Sequence, residues 1–228
     1  MLAVFRSALL AGPFRALFLG FIALDAIFVG TYIFMGLEAI RSGSDISMLW
    51  DVPSETSIAS YWNYLKLLVA VGALLVAARQ CRDAGFGIFA LAVLVLFIDD
   101  FFELHDMTAW YVGGYLEQTA IGEVHQQSRG EPIVYALLGL FVLGIMVLGY
   151  RRTRPENISS AGAVVVTLLL FAFFASVIDM IHGFSQFLGF SSTRVVSGLF
   201  NVLEEGGELV ALSTLVTLCL WLGYKRRV

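Results

Sequence analysis

Three apolar stretches of this sequence carry acids and imidazoles at helical spacing. Asp99, Asp100, Glu103, His105 and Asp106 fall in the first, Asp179 and His182 in the second, and Glu204, Glu205 and Glu208, preceded by Asn201, in the third. Residues 99, 103 and 106 are separated by four and three, so on a helix they form one stripe with Asp100 at its edge. Asn201, Glu204, Glu205 and Glu208 fit within one arc of about 100°. Asp179 and His182 stack one turn apart, with Ser176 and Gln186 extending their polar face. His105 points away from the Asp99 stripe and needs a helix end or a bend to join it.

Such a set is costly in lipid. One Asp at the centre of a spanning helix costs about 2.5–3.5 kcal/mol on insertion scales. Asp99, Asp100, Glu103, Asp106, Asp179, Glu204, Glu205 and Glu208 share three spans that carry no Lys or Arg at that depth, with Arg194 and Lys66 nearby. The acids must be protonated, hydrated or bound to cations. Hydrogen-bonded glue between helices normally takes one or two residues, because each bond contributes only about 0.6–2 kcal/mol.

A multivalent metal answers the charge most directly. Carboxylates joined by imidazoles suit Fe, Mn or Zn, whereas carboxylates alone favour Ca or Mg. The expected site is one or two metal ions held by Asp100, Glu103, Asp179, His182, Glu205 and Glu208, with Asp99, His105 and Glu204 as further ligands or as hydrogen-bonding partners of the ligands. The donor set is similar to the four-helix carboxylate di-metal sites of ferritin-like proteins, which use two Glu-x-x-His motifs. This chain has a single Asp179-x-x-His182. Its three histidines would also suffice for a membrane zinc hydrolase of the ceramidase and adiponectin-receptor kind, but the His-x-x-x-His pair usual in a late span of that family is absent.

The leading expectation is thus a membrane metalloprotein, and if an enzyme, one whose metal activates water or oxygen against a lipophilic small molecule. Two alternatives stay open: a proton or divalent-cation transporter or channel component, and an accessory subunit of a larger membrane complex.

The elements that must position these residues are six apolar helices. They are expected at about Phe14–Leu37, Ile58–Ala78, Phe86–Trp110, Pro132–Tyr150, Ala161–Phe184 and Val195–Gly223. Of 228 residues 59% are hydrophobic and only 14% charged, too few charges to coat a water-exposed surface. The class is therefore an all-α, polytopic membrane protein forming one integral domain over residues 1–228, with the lipid bilayer as its main partner. Arg6 and Arg15 ahead of an apolar stretch imitate a signal peptide, but the stretch is long and contains Asp25, so it reads as a retained first span. Basic residues are few and sit at helix ends, which excludes a nucleic-acid footprint. Cys81 and Cys219 read as a loop thiol and a packing residue at lipid depth, not a disulfide framework.

Orientation follows from the cations. Arg6, Arg15, Arg79, Arg82, Arg151, Arg152, Arg154, Lys225, Arg226 and Arg227 fall on one side of the six spans, against Arg41, Arg129 and Arg194 on the other. That bias predicts a cytoplasmic (inner or plasma) membrane protein with both termini inside. The acids of the third, fifth and sixth spans then share one layer between midplane and outer surface. On the outer side, residues 39–57 and 111–131, the latter with His125, suit interfacial helices or a lid, or simple solvated loops.

Asp99-Asp100-Phe101-Phe102-Glu103-Leu104 and Glu204-Glu205-Gly206-Gly207-Glu208-Leu209 both read acid-acid-x-x-Glu-Leu. Three-span halves carrying them would form a 3+3 inverted repeat, although little else matches. Asp25, near midplane, either hydrogen-bonds within the bundle or extends a proton path to the acids.

Overall fold

The computed structural model describes residues 1–10, 12–54, 56–117, 126–187 and 194–224. Among these there is no strand. The helices are α1 (Leu2–Leu10), α2 (Gly12–Ser42), α3 (Ile58–Cys81), α4 (Ala84–Phe101), α5 (Leu104–Glu117), α6 (Gln126–Arg152), α7 (Ile158–Ala172), α8 (Asp179–Phe187) and α9 (Arg194–Tyr224). A π turn, Phe173–Ile178, joins α7 to α8. Six segments are long and apolar enough to cross a membrane: Gly12–Ser42, Ile58–Cys81, Ala84–Phe101, Gly130–Arg152, Pro155–Gly183 and Val195–Tyr224. The protein is a polytopic, all-helical membrane protein.

Short polar loops turn the chain between antiparallel spans. Arg82 ends α3 in the left-handed conformation, and the Asp83 carboxylate caps α4 by accepting from the Gly85 N–H at 3.0 Å. The other Asp83 oxygen accepts from the Arg154 backbone N–H (3.1 Å) and from Asn157 Nδ2 (2.7 Å), tying the loop before α4 to the loop before α7. Gly85 sits inside this clasp. A Cβ there would press on the Thr153 hydroxyl and stand 2.7 Å from the Gly149 carbonyl oxygen, both on the facing chain. Gly85→Ala should therefore lower stability by about 1–3 kcal/mol, read as a lower melting temperature in detergent.

The arginine-bearing half of the bundle is filled with side chains. Leu67, Leu74, Phe86, Phe89, Val93, Leu215 and Leu218 are fully buried there and belong to one continuous apolar cluster. Cys81 and Cys219 pack into the same cluster, and neither is in a disulfide. Helix α1 lies against α7 and α9 and buries Ala8.

At the opposite, acidic end the packing changes. The third span ends at Phe101, short of the Trp110 expected from hydropathy. Glu103 takes a left-handed backbone (φ 50°), its N–H bonds back to the Asp100 carbonyl at 3.2 Å, and α5 departs in a new direction to pack along α6. Gly130 lets α5 and α6 meet, since a Cβ there would collide with the Ala109 backbone. Of the two outer segments, one therefore holds a helix, α5, whereas the described residues between α2 and α3 fold as turns that bury Val52.

Glu103 pays a left-handed cost of roughly 1–2 kcal/mol that glycine would avoid. Glu103→Gly should raise the melting temperature, as followed by thermal denaturation.

Candidate functional site

The acidic end encloses a chamber of about 450 Å³. Its walls come from α3, α4, α5, α6, the fifth span and α9. Asp99 and Asp100 reach it from the end of α4, and His105 and Asp106 from the first turn of α5. Glu131 and Tyr135 line it from α6, Ser176, Asp179 and His182 from the fifth span, and Asn201, Glu204, Glu205 and Glu208 from α9. Eight carboxylates thus face one space, and among the described residues the lining contains no Lys or Arg.

Of the residues expected from sequence, eight line this chamber: Asp99, Asp100, His105, Asp179, His182, Glu204, Glu205 and Glu208. Glu103 does not. The helix break that its own left-handed backbone makes turns it outward, and it is exposed. Of the two acid-acid-x-x-Glu-Leu motifs, α9 runs through its copy unbroken and delivers all three acids, whereas the α4 copy delivers two. His125 and the side chain of Gln186 lie outside the described residues.

The same break brings in His105. It supplies the bend that His105 needed, and His105 Nδ1 stands 2.9 Å from Asp99 Oδ2, with Nε2 3.6 Å from Asp106 Oδ1. Burial works against the charged ring, but the hydrogen bond it donates to Asp99 and the nearby charges of Asp106, Asp99 and Asp100 outweigh it and push the imidazole up to about 9. Tyr135 lies over it, ring centres 5.5 Å apart, and donates its hydroxyl to Asp179 at 3.0 Å. One tyrosine therefore links α5, α6 and α8.

The π turn immediately precedes Asp179. Such turns are frequent at functional sites. This one faces Gly207 of α9, where any Cβ would collide with the Phe174 ring. Beyond it, His182 is buried, stacks on Phe200 with ring centres 5.1 Å apart and planes 6° from parallel, and bonds Ser197 at 3.0 Å. His182 and Asp179 share a helix face, as their spacing requires, but the imidazole is held towards α9. Asn201 donates to the Tyr32 hydroxyl at 3.0 Å, fixing α9 to α2.

Asp25 does not extend the acid set. It lies deeper, in a closed network with Lys66 of α3 and Ser213 of α9. Lys66 Nζ stands 3.1 Å from Asp25 Oδ1 and also donates to the Leu209 carbonyl at 3.0 Å. Trp62 Nε1 donates to the same Asp25 oxygen at 2.9 Å, and the Ser213 hydroxyl to the other. Of the two cations expected near the acids, Lys66 is thus committed to a partner of its own. Both Lys66 and Asp25 side chains are at most 3% exposed. Leu209 directly follows Glu208 and Ser213 lies about one turn further, so the network adjoins the inner end of the chamber.

Among the described residues, no three Asp, Glu, His or Cys side chains converge on a point suited to a metal ion. The carboxylates stand around a space. Three residues that sequence spacing did not single out as site residues complete it: Glu131 and Tyr135, placed by the early start of α6, and Asn63 of α3.

Residues 16–222, which take in all of this lining, match the family described as Domain of unknown function (DUF8692). No curated protein matches the chain, and no solved structure does.

Proposed function

The chain belongs to the family of that description, and we propose that as a member of it the protein is a membrane metalloprotein that takes up a cation from outside into the acidic chamber. The observation that carries this reading is the acidic wall: eight carboxylates around one space of about 450 Å³, with no Lys or Arg in the lining among the described residues. Fe, Mn or Zn is the expected ion, because His182 and His105 accompany the carboxylates. Asp179 and Glu204, Glu205 and Glu208 face each other across the space from the fifth span and α9. Ion binding would draw these side chains together by rotamer changes, which the long glutamates allow. If the site is catalytic, the ion would activate water or oxygen against a lipophilic substrate.

The proposed location is the cytoplasmic (inner or plasma) membrane with both termini inside. What supports it is the excess of arginine and lysine at the end opposite the chamber. A transporter would need a wet path through that end as well. The continuous apolar cluster there, with the Lys66–Asp25 network above it, favours a chamber open from one side.

Purified protein examined by elemental analysis should carry near-stoichiometric Fe, Mn or Zn, and added metal should raise its melting temperature. Metal-free protein whose melting is indifferent to all three ions would refute the proposal. Glu103→Gln should leave metal content unchanged, since that side chain is outside the chamber.

A further inference from the structure

Helix α5 has two unlike faces. Leu104, Met107, Tyr111 and Tyr115 fall within an arc of about 80° on it, and Trp110 flanks them. All five side chains are 42–79% exposed. The other side holds Ala109, which meets Gly130 of α6, the buried Gly113, and the chamber residues His105 and Asp106. A contiguous apolar and aromatic face of this kind marks an interaction surface.

The two helices beside it fix its level in the bundle. α4, which leads into α5, has 18 residues and is about 27 Å long. The α6 span has 23 residues from Gly130 to Arg152, about 34 Å. α5 runs antiparallel to α6, His105 beside Tyr135 and Ala109 against Gly130. A hydrocarbon core about 30 Å thick therefore ends alongside the first turns of α5. Exposed Glu103 at the bend needs water, and that edge provides it. Trp and Tyr suit the same edge, since their rings are apolar and their N–H or O–H reaches water. Along the face Leu104 and Met107 come first, then the three aromatics, in the order of a leaflet's own polarity profile. A protein partner would not require that order. α5 carries no Lys or Arg, so it has no means of selecting anionic headgroups.

We infer that this face of α5 is a lipid-binding surface, seated at the boundary between acyl chains and zwitterionic headgroups in the leaflet at the acidic end. Leu104 and Met107 meet acyl chains there, and Trp110, Tyr111 and Tyr115 meet the glycerol and headgroup layer. The inference stands apart from the cation-site reading and draws nothing from the carboxylates. Its consequence for the chamber is mechanical. The first turn of α5 carries His105 and Asp106 into the lining, so the leaflet braces that wall.

The test uses the whole protein in phosphatidylcholine nanodiscs with a nitroxide attached at Met107→Cys, Tyr111→Cys or Tyr115→Cys. Cys81 and Cys219 are at most 5% exposed and should stay unlabelled. Leu140→Cys, midway along the α6 span, gives the hydrocarbon reference, and Glu156→Cys, in the loop before α7, the aqueous one. Collisions with oxygen relative to a water-soluble nickel chelate should rank Leu140, Met107, Tyr111, Tyr115, Glu156. The ratio at Met107 should exceed that at Glu156 about tenfold or more, because oxygen partitions into hydrocarbon and the chelate does not. Unlabelled protein gives a second reading. The fluorescence that Trp110→Phe removes should be quenched by phosphatidylcholine brominated near the glycerol end of its chains, and little by iodide in water. Ratios along α5 equal to that at Glu156 would place the face in water and overturn the inference. Labels at Tyr111 and Tyr115 that are immobile and reached by neither reagent would show protein covering the face, a second copy if the nitroxides also broaden one another, and would overturn it equally.

Discussion

Lys66→Met should be the most damaging single substitution in this protein, lowering stability by about 3–5 kcal/mol. The ammonium it removes is 1% exposed and donates to Asp25, to the Leu209 carbonyl and, at 3.4 Å, to Ser213. Its loss strands a carboxylate that is itself 3% exposed, in the middle of a bundle, with the neutral donors Trp62 and Ser213 left to it. Removing one member of a buried pair is far costlier than removing both, because the survivor keeps its desolvation penalty. Lys66→Met combined with Asp25→Asn should therefore recover much of the loss, since Asn still offers Trp62 an acceptor. Melting curves in detergent for the two single variants and the double would measure this coupling. A Lys66→Met protein that melts with the wild type would show that water reaches the pair.

Asp179→Asn together with Glu204→Gln should move two properties in opposite directions. Both acids face the chamber, from the fifth span and from α9. Metal affinity should fall about 100-fold or more, because two anionic donors become neutral. Stability without metal should rise, because like charges crowded in one space repel each other and neutralising two relieves that. Each kcal/mol gained would appear as about 2–4 °C in a protein of this size. Asn keeps an oxygen for the Tyr135 hydroxyl, so the α6–α8 link survives. Calorimetric Mn²⁺ titration and thermal melts of the same preparation read the two effects. A variant that lost stability without metal would mean that these acids hold the bundle together instead of straining it.

Hydropathy and helical period carried the sequence far. The six spans, and the inward face shared by Glu204, Glu205 and Glu208, follow from residue spacing alone, because a helix in lipid has only one place to put a charge. Spacing could also say that His105 would join Asp99 only at a bend. It could not say where the bend lies. Phe101-Phe102-Glu103 contains neither glycine nor proline, so the left-handed Glu103 leaves no local mark, and it is imposed by α5 packing along α6. For the same reason Glu103 looked like a chamber residue. Asn63, Glu131 and Tyr135 are single polar residues in an apolar run or at a helix start, and their facing depends on helix rotation, which a stripe of one residue does not define. Asp25 and Lys66 lie 41 positions apart on different spans, and only the packed bundle reveals them as partners.

The π turn at Phe173–Ile178 divides the fifth span into two parts with separate phase. Upstream, α7 answers to the apolar cluster and α1. Downstream, the chamber residues answer to whatever phase the turn hands them. Lengthening or shortening the seam by a single residue would swing Asp179 and His182 by about 100° as one rigid unit. The Tyr135 bond to Asp179 and the contacts of His182 with Ser197 and Phe200 would go with that swing. Chain length at this one place, more than side-chain identity, is the adjustable screw that aims the fifth span's polar groups.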